Sequence, residues 1–179
     1  MQKKKILNLD KWINMSKFPP AIIGVKPSKM LPGEVGLFAL RSLKKGTVII
    51  DINFPLNDKF FSKDTYKKLD KITKKVLSHF GTEVYDGFFS VPNLNYMPIA
   101  WFGNHSCDPN MGYDKEGNLV LIKNVKAREE LTHDYGFSVT DPKFKMHCRC
   151  GAKNCRKIIT GNDWKDPEYF KKNKEFMNV

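Results

Sequence analysis

Four cysteines constrain this chain more than any other feature of its sequence. Cys148, Cys150 and Cys155 lie within eight residues of one another, and Cys107 stands alone upstream. A disulfide framework is unusual in a chain of this size without a secretion signal, whereas clustered cysteines in a reducing compartment usually bind metal. Zinc takes four ligands in a closed structural site. The sequence therefore predicts one structural Zn²⁺ held by these four thiolates.

Two alternatives remain for this cluster. His147 competes with Cys107 as the fourth ligand, although its side chain would point away from that of the adjacent Cys148 in an extended segment. Four buried free thiols are the other alternative. If Cys107 is a ligand, the metal joins residues 104–110 to the C-terminal tail. Asn104 and His105 then place an amide and an imidazole beside the junction, where they suit hydrogen bonding to a heterocycle such as adenine.

The composition is that of a single globular domain. The chain has 179 residues, of which 41% are hydrophobic, enough to bury a sizeable core. No long apolar segment follows the first charged residues, and no apolar run approaches a membrane span. We therefore expect a soluble, intracellular protein, in the nucleus if the organism is eukaryotic and in the cytoplasm if it is bacterial, with a monomer as the default.

The charge is strongly basic. Lysine and arginine number 31 against 19 acidic residues, which gives a formal net charge of +12. Such a protein attracts polyanions and acidic surfaces, so a nucleic-acid-associated partner is consistent with the charge. The lysines are scattered along the chain, and a surface that merely keeps the protein soluble is an equal alternative.

Short runs rich in Val, Ile, Leu and Phe alternate with Pro and Gly, a pattern typical of short β-strands. The runs are Ala21–Val25, Leu37–Leu40, Thr47–Phe54, Tyr85–Val91 and Leu119–Val125. Residues 59–81 differ, because apolar residues recur there at helical spacings of three and four. These residues are Leu69, Ile72, Val76 and Phe80. The sequence therefore predicts a mainly β fold with short helices.

Three motifs follow one another along the chain, at Asn104–Asn110, Glu130–Gly136 and Cys148–Arg156. Together they resemble the motifs of SET-domain protein lysine methyltransferases. The first, Asn104–Asn110, resembles the signature heptapeptide of that family, and the second is the segment Glu130–Gly136. The third, Cys148–Arg156, resembles the zinc-binding post-SET segment of the family. Residues 34–39 and 45–49 are similar to the opening strands. The resemblance covers roughly residues 20 to 160.

The resemblance implies a β-clip of small sheets in which the two motif segments pass through one another in a pseudoknot, followed by a zinc-bound post-SET tail. It divides the chain into an N-terminal extension 1–19, a SET domain 20–139 with a helical insert 59–81, a post-SET zinc segment 140–161 and a C-terminal tail 162–179. It further implies a methyltransferase that uses S-adenosylmethionine to methylate a lysine of a protein or peptide, such as a histone or a nucleic-acid-associated protein.

The resemblance also implies roles for individual residues. Tyr135 corresponds to the catalytic tyrosine, with its hydroxyl facing the methyl group. The cofactor-binding positions are Val35, Gly36, Leu37, Asn104, His105 and Tyr135. The zinc ligands are Cys107, Cys148, Cys150 and Cys155. Phe88, Phe89 and Trp101 are candidates for the walls of an apolar lysine channel, each with plain core packing as its alternative.

Three positions depart from the family pattern. Residues 97–103 lack the usual arginine and carry an additional glycine, which is expected to loosen the strand there. Glu34 stands where the family commonly has the first glycine of its cofactor loop. His133 occupies the position at which a Phe or Tyr helps to decide how many methyl groups are added, and it is therefore a second candidate catalytic residue. A polar pocket in which His133 merely packs is the alternative.

Two functions of different classes follow. The first is an active protein lysine methyltransferase, which the Asn104–His105 pair and Tyr135 favour. The second is a catalytically silent, zinc-stabilised module that binds nucleic acid or acidic proteins through its basic surface.

Overall fold

The computed structural model describes residues 20–51 and 59–179. The predicted N-terminal extension 1–19 and the end of the predicted strand Thr47–Phe54 lie outside the described residues. The strands are β1 (Ile23–Pro27), β2 (Val35–Ala39), β3 (Val48–Ile50), β4 (Lys59–Ser62), β5 (Thr82–Val84), β6 (Gly87–Ser90), β7 (Asn104–His105), β8 (Met111–Tyr113), β9 (Leu119–Leu121), β10 (Glu130–His133), β11 (Lys145–His147) and β12 (Ile158–Thr160). The α-helices are α1 (Lys63–Lys68), α2 (Lys71–Phe80) and α3 (Pro167–Asn173).

The main sheet holds the core and confirms the predicted mainly β architecture. Its strands follow the order β1-β2-β10-β8-β9-β3, with β7 also paired to β10. Leu37 and Leu131 face each other across β2 and β10, and both are fully buried. Met111 and Leu121 pair across β8 and β9 in the same cluster. Short apolar strands thus bury a continuous core although none of the twelve strands named above exceeds five residues.

The loop 104–111 passes from one edge of β10 to the other. β7 begins this loop and pairs with Thr132 and His133, whereas Met111 at its end pairs with His133 from the opposite side. The backbone N–H groups of Ser106 and Asn110 donate to the carbonyl groups of His133 and Thr132, respectively. The chain that follows β10 therefore leaves between the two ends of the loop, which is the crossing that the predicted pseudoknot requires.

The insert 59–81 is not the single helix that its periodicity predicted. It begins with strand β4, and its helical part is divided into α1 and α2. The division falls at Asp70, whose carboxylate caps α2 by accepting from the N–H groups of Ile72 and Thr73. The predicted apolar face is also shifted, because Ile72 is 77% exposed and Leu77 is the residue buried against β6.

Other element bounds differ less. The predicted strand Leu119–Val125 ends at Leu121, and Val125 forms only an isolated bridge with Leu43. Residues 114–118 form the turn between β8 and β9, with Gly117 at a φ of 86° that favours glycine. Residues 99–102 form a 3₁₀-helix in place of the loosened strand. None of the helices in residues 20–51 and 59–179 is long and apolar enough to cross a membrane.

Candidate active site

The four cysteines converge as the sequence predicted. Cys107 lies in the loop 104–111, and the other three lie between β11 and β12. All four Sγ atoms lie within 4.8 Å of one another, and those of Cys107 and Cys148 are 3.9 Å apart. Four sulfurs bound to one tetrahedral zinc at about 2.3 Å would lie about 3.8 Å from each other. The cluster therefore has the composition and the spacing to hold a metal ion.

The pKa values of these thiols determine how many protons a bound metal ion would displace. Burial raises the pKa of Cys107 to about 11 and raises the pKa of Cys148 as well. Burial acts in the same direction on Cys150, but hydrogen bonds, including one from the backbone N–H of Cys107, lower its pKa to about 7. Without a cation, the four groups therefore do not all ionise at neutral pH, so metal binding is expected to release protons.

The alternative ligand His147 lies outside the sulfur cluster. It is exposed at the end of β11, where its backbone pairs with Ile158. Its side chain instead lines a cavity beside Cys148. The extended geometry of β11 therefore turns neighbouring side chains apart, as the alternation of a strand requires.

Two cavities meet at Tyr135. The first is bounded by the start of β2, by β7 and by residues 146–150, and the second by the insert, β8 and residues 138–146. Six residues line both cavities: His79, Phe80, Trp101, Gly103, Tyr135 and Met146. A group bound in one cavity would thus approach a group bound in the other at the phenol of Tyr135.

Tyr135 is fixed from its backbone side by His105. The backbone N–H of Tyr135 donates to Nδ1 of His105 at 3.1 Å, and the two rings meet edge-on with centroids 5.2 Å apart. Burial lowers the pKa of His105 to about 4, so its ring is neutral and its Nε2 carries the hydrogen. Nε2 lies 3.4 Å from Sγ of Cys107, which links Tyr135 to the sulfur cluster through one imidazole. Burial raises the pKa of Tyr135 to about 12, and its hydroxyl therefore stays protonated.

The structure brings only part of the predicted cofactor set to the first cavity. Val35, Asn104, His105 and Tyr135 line it, together with Glu34 and Leu31. Leu37 is fully buried in the core, and Gly36 lies behind the cavity wall. A side chain at Gly36 would collide with the carboxylate of Glu130, so glycine is required there for close packing.

Glu130 is a structural residue that sequence reasoning missed. Its carboxylate accepts from Nδ2 of Asn104 at 3.0 Å, from Oγ of Ser28 and from the backbone N–H of Lys29. Nδ2 of Asn104 also donates to the carbonyl of Val35. Glu130 thus fixes the Asn104 amide and the turn before β2. The position of Glu130 in the second motif could have drawn attention to it, but its residue type did not indicate that it would fix Asn104.

The aromatic walls of the second cavity differ from those expected. Trp101 lines both cavities, whereas Phe88 and Phe89 line neither. Phe88 is 3% exposed and stacks on Tyr66, and Phe89 is 47% exposed on the opposite face of β6. Besides Trp101 and Tyr135, the second cavity is lined by the aromatic side chains of Phe80 of α2, Tyr113 of β8 and Phe144 before β11.

His133 lines the second cavity only. Its ring lies 4.9 Å from that of Tyr135, and its Nδ1 is buried without a hydrogen-bond partner among the described residues. Burial lowers the pKa of His133 to about 4, so the imidazole is neutral. The neutral ring therefore lines this cavity, while its Nδ1 is buried and unsatisfied.

Comparison with known proteins identifies the family. The family model described as the SET domain matches residues 34–136 of the chain. The chain belongs to the SET-domain family. The matched range of this SET domain includes the crossing at β10, Tyr135 and both cavity-lining motif segments.

Curated relatives of this SET domain are named as histone-lysine N-methyltransferases. Human histone-lysine N-methyltransferase 2D is 29% identical over 136 residues, which cover 69% of this chain and 2% of that protein. The probable histone-lysine N-methyltransferase set-23 of Caenorhabditis briggsae is 34% identical over 104 residues, covering 54% of this chain and 42% of the relative. Su(var)3-9 of Drosophila pseudoobscura pseudoobscura is 33% identical over 93 residues, covering 41% and 15%. The SET-domain chain therefore spans less than half the length of these relatives.

Proposed function

We propose that this SET domain transfers methyl groups from S-adenosylmethionine to lysine side chains of proteins. The meeting of two cavities at Tyr135 carries the proposal, because methyl transfer needs a donor and an acceptor aligned on opposite sides of one methyl group. The names of the curated relatives support the same chemistry. A histone or another nucleic-acid-associated protein is the proposed substrate class.

The first cavity suits the methyl donor. Trp101 and Phe102 offer aromatic surfaces, while Asn104 and His105 offer polar groups for an adenine or an amino-acid end. S-adenosylmethionine supplies an electrophilic methyl group on a sulfonium. Val35, Asn104, His105 and Tyr135 would hold it in this cavity.

The second cavity suits the acceptor. Phe80 and Trp101, the aromatic side chains that line it near Tyr135, disfavour a charged ammonium, which lowers the pKa of a lysine bound there from its reference value of about 10.4. The neutral amine then attacks the methyl carbon, the carbon–sulfur bond breaks and its electron pair stays on sulfur. The excess proton on nitrogen is released to water. The protonated hydroxyl of Tyr135 lies at this junction, where it would orient the methyl group, with His133 beside it.

The cysteine cluster is proposed to bind one structural zinc ion. Residues 146–150 line the first cavity and residues 144–146 line the second, on the side of the post-SET segment. A metal bound to Cys107 and the three downstream cysteines would hold this segment against the loop 104–111. Zinc would thus complete the cavity walls without taking part in methyl transfer.

Calorimetry and mass spectrometry together test the proposal. The purified chain should bind S-adenosylmethionine in a titration, and it should add methyl groups to lysines of core histones or of lysate proteins. Binding without methyl transfer to any lysine would favour the silent module. Absence of both binding and transfer in zinc-loaded protein would contradict the proposal.

A further inference from the structure

A basic face of helix α2 leads to the mouth of both cavities. Lys71, Lys75 and His79 recur every fourth residue, so they lie in one row on successive turns of the helix. All three are exposed, whereas Leu77 faces the core. His79, at the end of the row, lines both cavities. The row therefore runs from solvent to the place where the two cavities meet.

The positive charge of this region is poorly compensated. Residues 59–80 contain seven lysines and two aspartates. Asp64 pairs with Lys67 at 2.9 Å, and Asp70 is occupied by the cap of α2. Among the described residues, Lys68, Lys71 and Lys75 have no carboxylate partner.

Nearby carboxylates are turned to another cation. Asp141 binds Nζ of Lys63 at 2.5 Å, and Glu83 lies beside this pair on β5. These acidic groups therefore compensate the first lysine of α1 and not the row on α2. The exposed lysines of the row remain available to an anion from outside the chain.

We propose that Lys71 and Lys75 of α2, together with the exposed Lys68 at the end of α1, form a nucleic-acid docking surface on the insert. These three residues are called the α2 basic face below. A lysine-only surface offers point charges without the fixed geometry of a guanidinium fork, so it recognises charge density more than a particular acidic side chain. Nucleic acid is the regular polyanion that matches this chemistry. Because His79 adjoins the cavities, the bound polyanion would lie beside the acceptor entrance.

The role of this docking surface rests on the proposed function in one respect. Nucleic acid held there would present an acceptor lysine of a protein bound to the same nucleic acid. Docking itself requires no methyl transfer. A binding experiment without S-adenosylmethionine therefore separates the two proposals.

The test is fluorescence anisotropy of a short labelled duplex DNA titrated with the full chain over a range of salt concentrations. The variant Lys68→Gln/Lys71→Gln/Lys75→Gln removes the α2 basic face. The matched control, Lys171→Gln/Lys172→Gln/Lys174→Gln, removes the same charge from the exposed lysines around the end of α3. Thermal melting of each protein checks that the fold is retained.

We expect the α2 variant to lose about tenfold or more in affinity and the log–log salt slope to fall by about three, since each lysine–phosphate contact contributes about 0.9. The affinity of the α3 control for DNA should stay within about twofold of the wild-type value, because the lysines removed make no contact with the DNA. Equal losses in both variants would overturn the inference, because net charge alone would then explain binding. An unchanged α2 variant, or polyglutamate competing as well as DNA does, would also overturn it. DNA binding through the α2 basic face in a protein that methylates no lysine would contradict only the proposed function.

Discussion

Arg156 forms a bidentate ion pair with the buried carboxylate of Asp134, with both nitrogen–oxygen distances at 2.6 Å. Asp134 is 2% exposed and immediately precedes Tyr135, whereas Arg156 follows Cys155. The pair thus joins the segment of the proposed catalytic tyrosine to the cysteine-bearing tail independently of any metal. A charge-assisted, two-pronged geometry of this kind also fixes orientation.

Removal of this arginine should destabilise the fold strongly. Arg156→Ala leaves the Asp134 carboxylate buried without its cation, and the expected loss in free energy of unfolding is about 3 kcal/mol. Arg149→Ala is the matched control, because Arg149 is exposed and has no carboxylate partner among the described residues. Chemical denaturation of both variants measures the difference. Equal stabilities would show that the ion pair contributes no net free energy.

Zinc content should depend on all four cysteines and not on His147. We expect one zinc per chain in protein purified without chelator, and Cys150→Ser should lower zinc content, melting temperature and methyl transfer together. His147→Gln should keep full zinc content, which elemental analysis measures. Loss of zinc in the histidine variant would instead favour the alternative ligand, and zinc-free wild-type protein would contradict the metal site.

Turnover should depend on the hydroxyl of Tyr135. Tyr135→Phe removes one oxygen at the junction of the cavities, so kcat should fall by about a hundredfold or more while cofactor affinity is nearly unchanged. Tyr96→Phe serves as the control, because Tyr96 is 80% exposed. Steady-state kinetics and calorimetry provide the two readouts. Near-normal kcat in the Tyr135 variant would mean that the catalytic tyrosine is misassigned.

The number of methyl groups added should depend on His133. A nitrogen of its neutral ring can hold a water or the acceptor amine by hydrogen bonding, which restricts the space for further methyl groups. Monomethyllysine should therefore dominate, and His133→Phe should shift the product toward di- or trimethyllysine at a similar first-step rate. Mass spectrometry of a substrate peptide distinguishes the products. Trimethyllysine from the wild type would refute the hydrogen-bonding argument, and an unchanged product distribution would leave His133 a packing residue.

Lowering the pH should destabilise the fold, because His133 becomes protonated. Burial lowers its pKa from 6.5 to about 4, so the unfolded chain binds the proton more readily than the folded chain. The stabilising contribution is complete above pH 6.5 and is lost as the pH falls toward 4, by up to about 3 kcal/mol for this group. His105 shifts in the same direction, so the diagnostic quantity is the difference between wild type and His133→Phe. Urea unfolding at several pH values should show a shallower dependence in the variant, and parallel curves would contradict this origin.

The sequence predicted the groups that contiguous motifs carry. Cys107 and its three partners, the Asn104–His105 pair and Tyr135 converge because each belongs to a segment whose order and spacing are readable. Helix α2 was not predictable as a cavity wall, since nothing local indicates which turn of an insert faces the junction. Its boundary was missed because the spacing of the apolar residues gives no sign that Asp70 caps a separate helix. Phe88 and Phe89 were misjudged because alternation places neighbouring strand residues on opposite faces, and here neither face lines a cavity.

The crossing of the loop 104–111 with β10 sets an order in which the molecule can assemble. The loop can close only around β10, because its two ends pair with opposite edges of that strand. The downstream cysteines are synthesised after both segments, and Cys107 meets Cys148 across a sequence separation of 41 residues. Contacts of such range form slowly, since the entropy of closing the loop is lost before any pairing offsets it. A metal ion bound early by Cys148, Cys150 and Cys155 would therefore gain its fourth ligand, Cys107, only later. Ligation of that fourth thiolate would stabilise the threaded arrangement once β10 is in place.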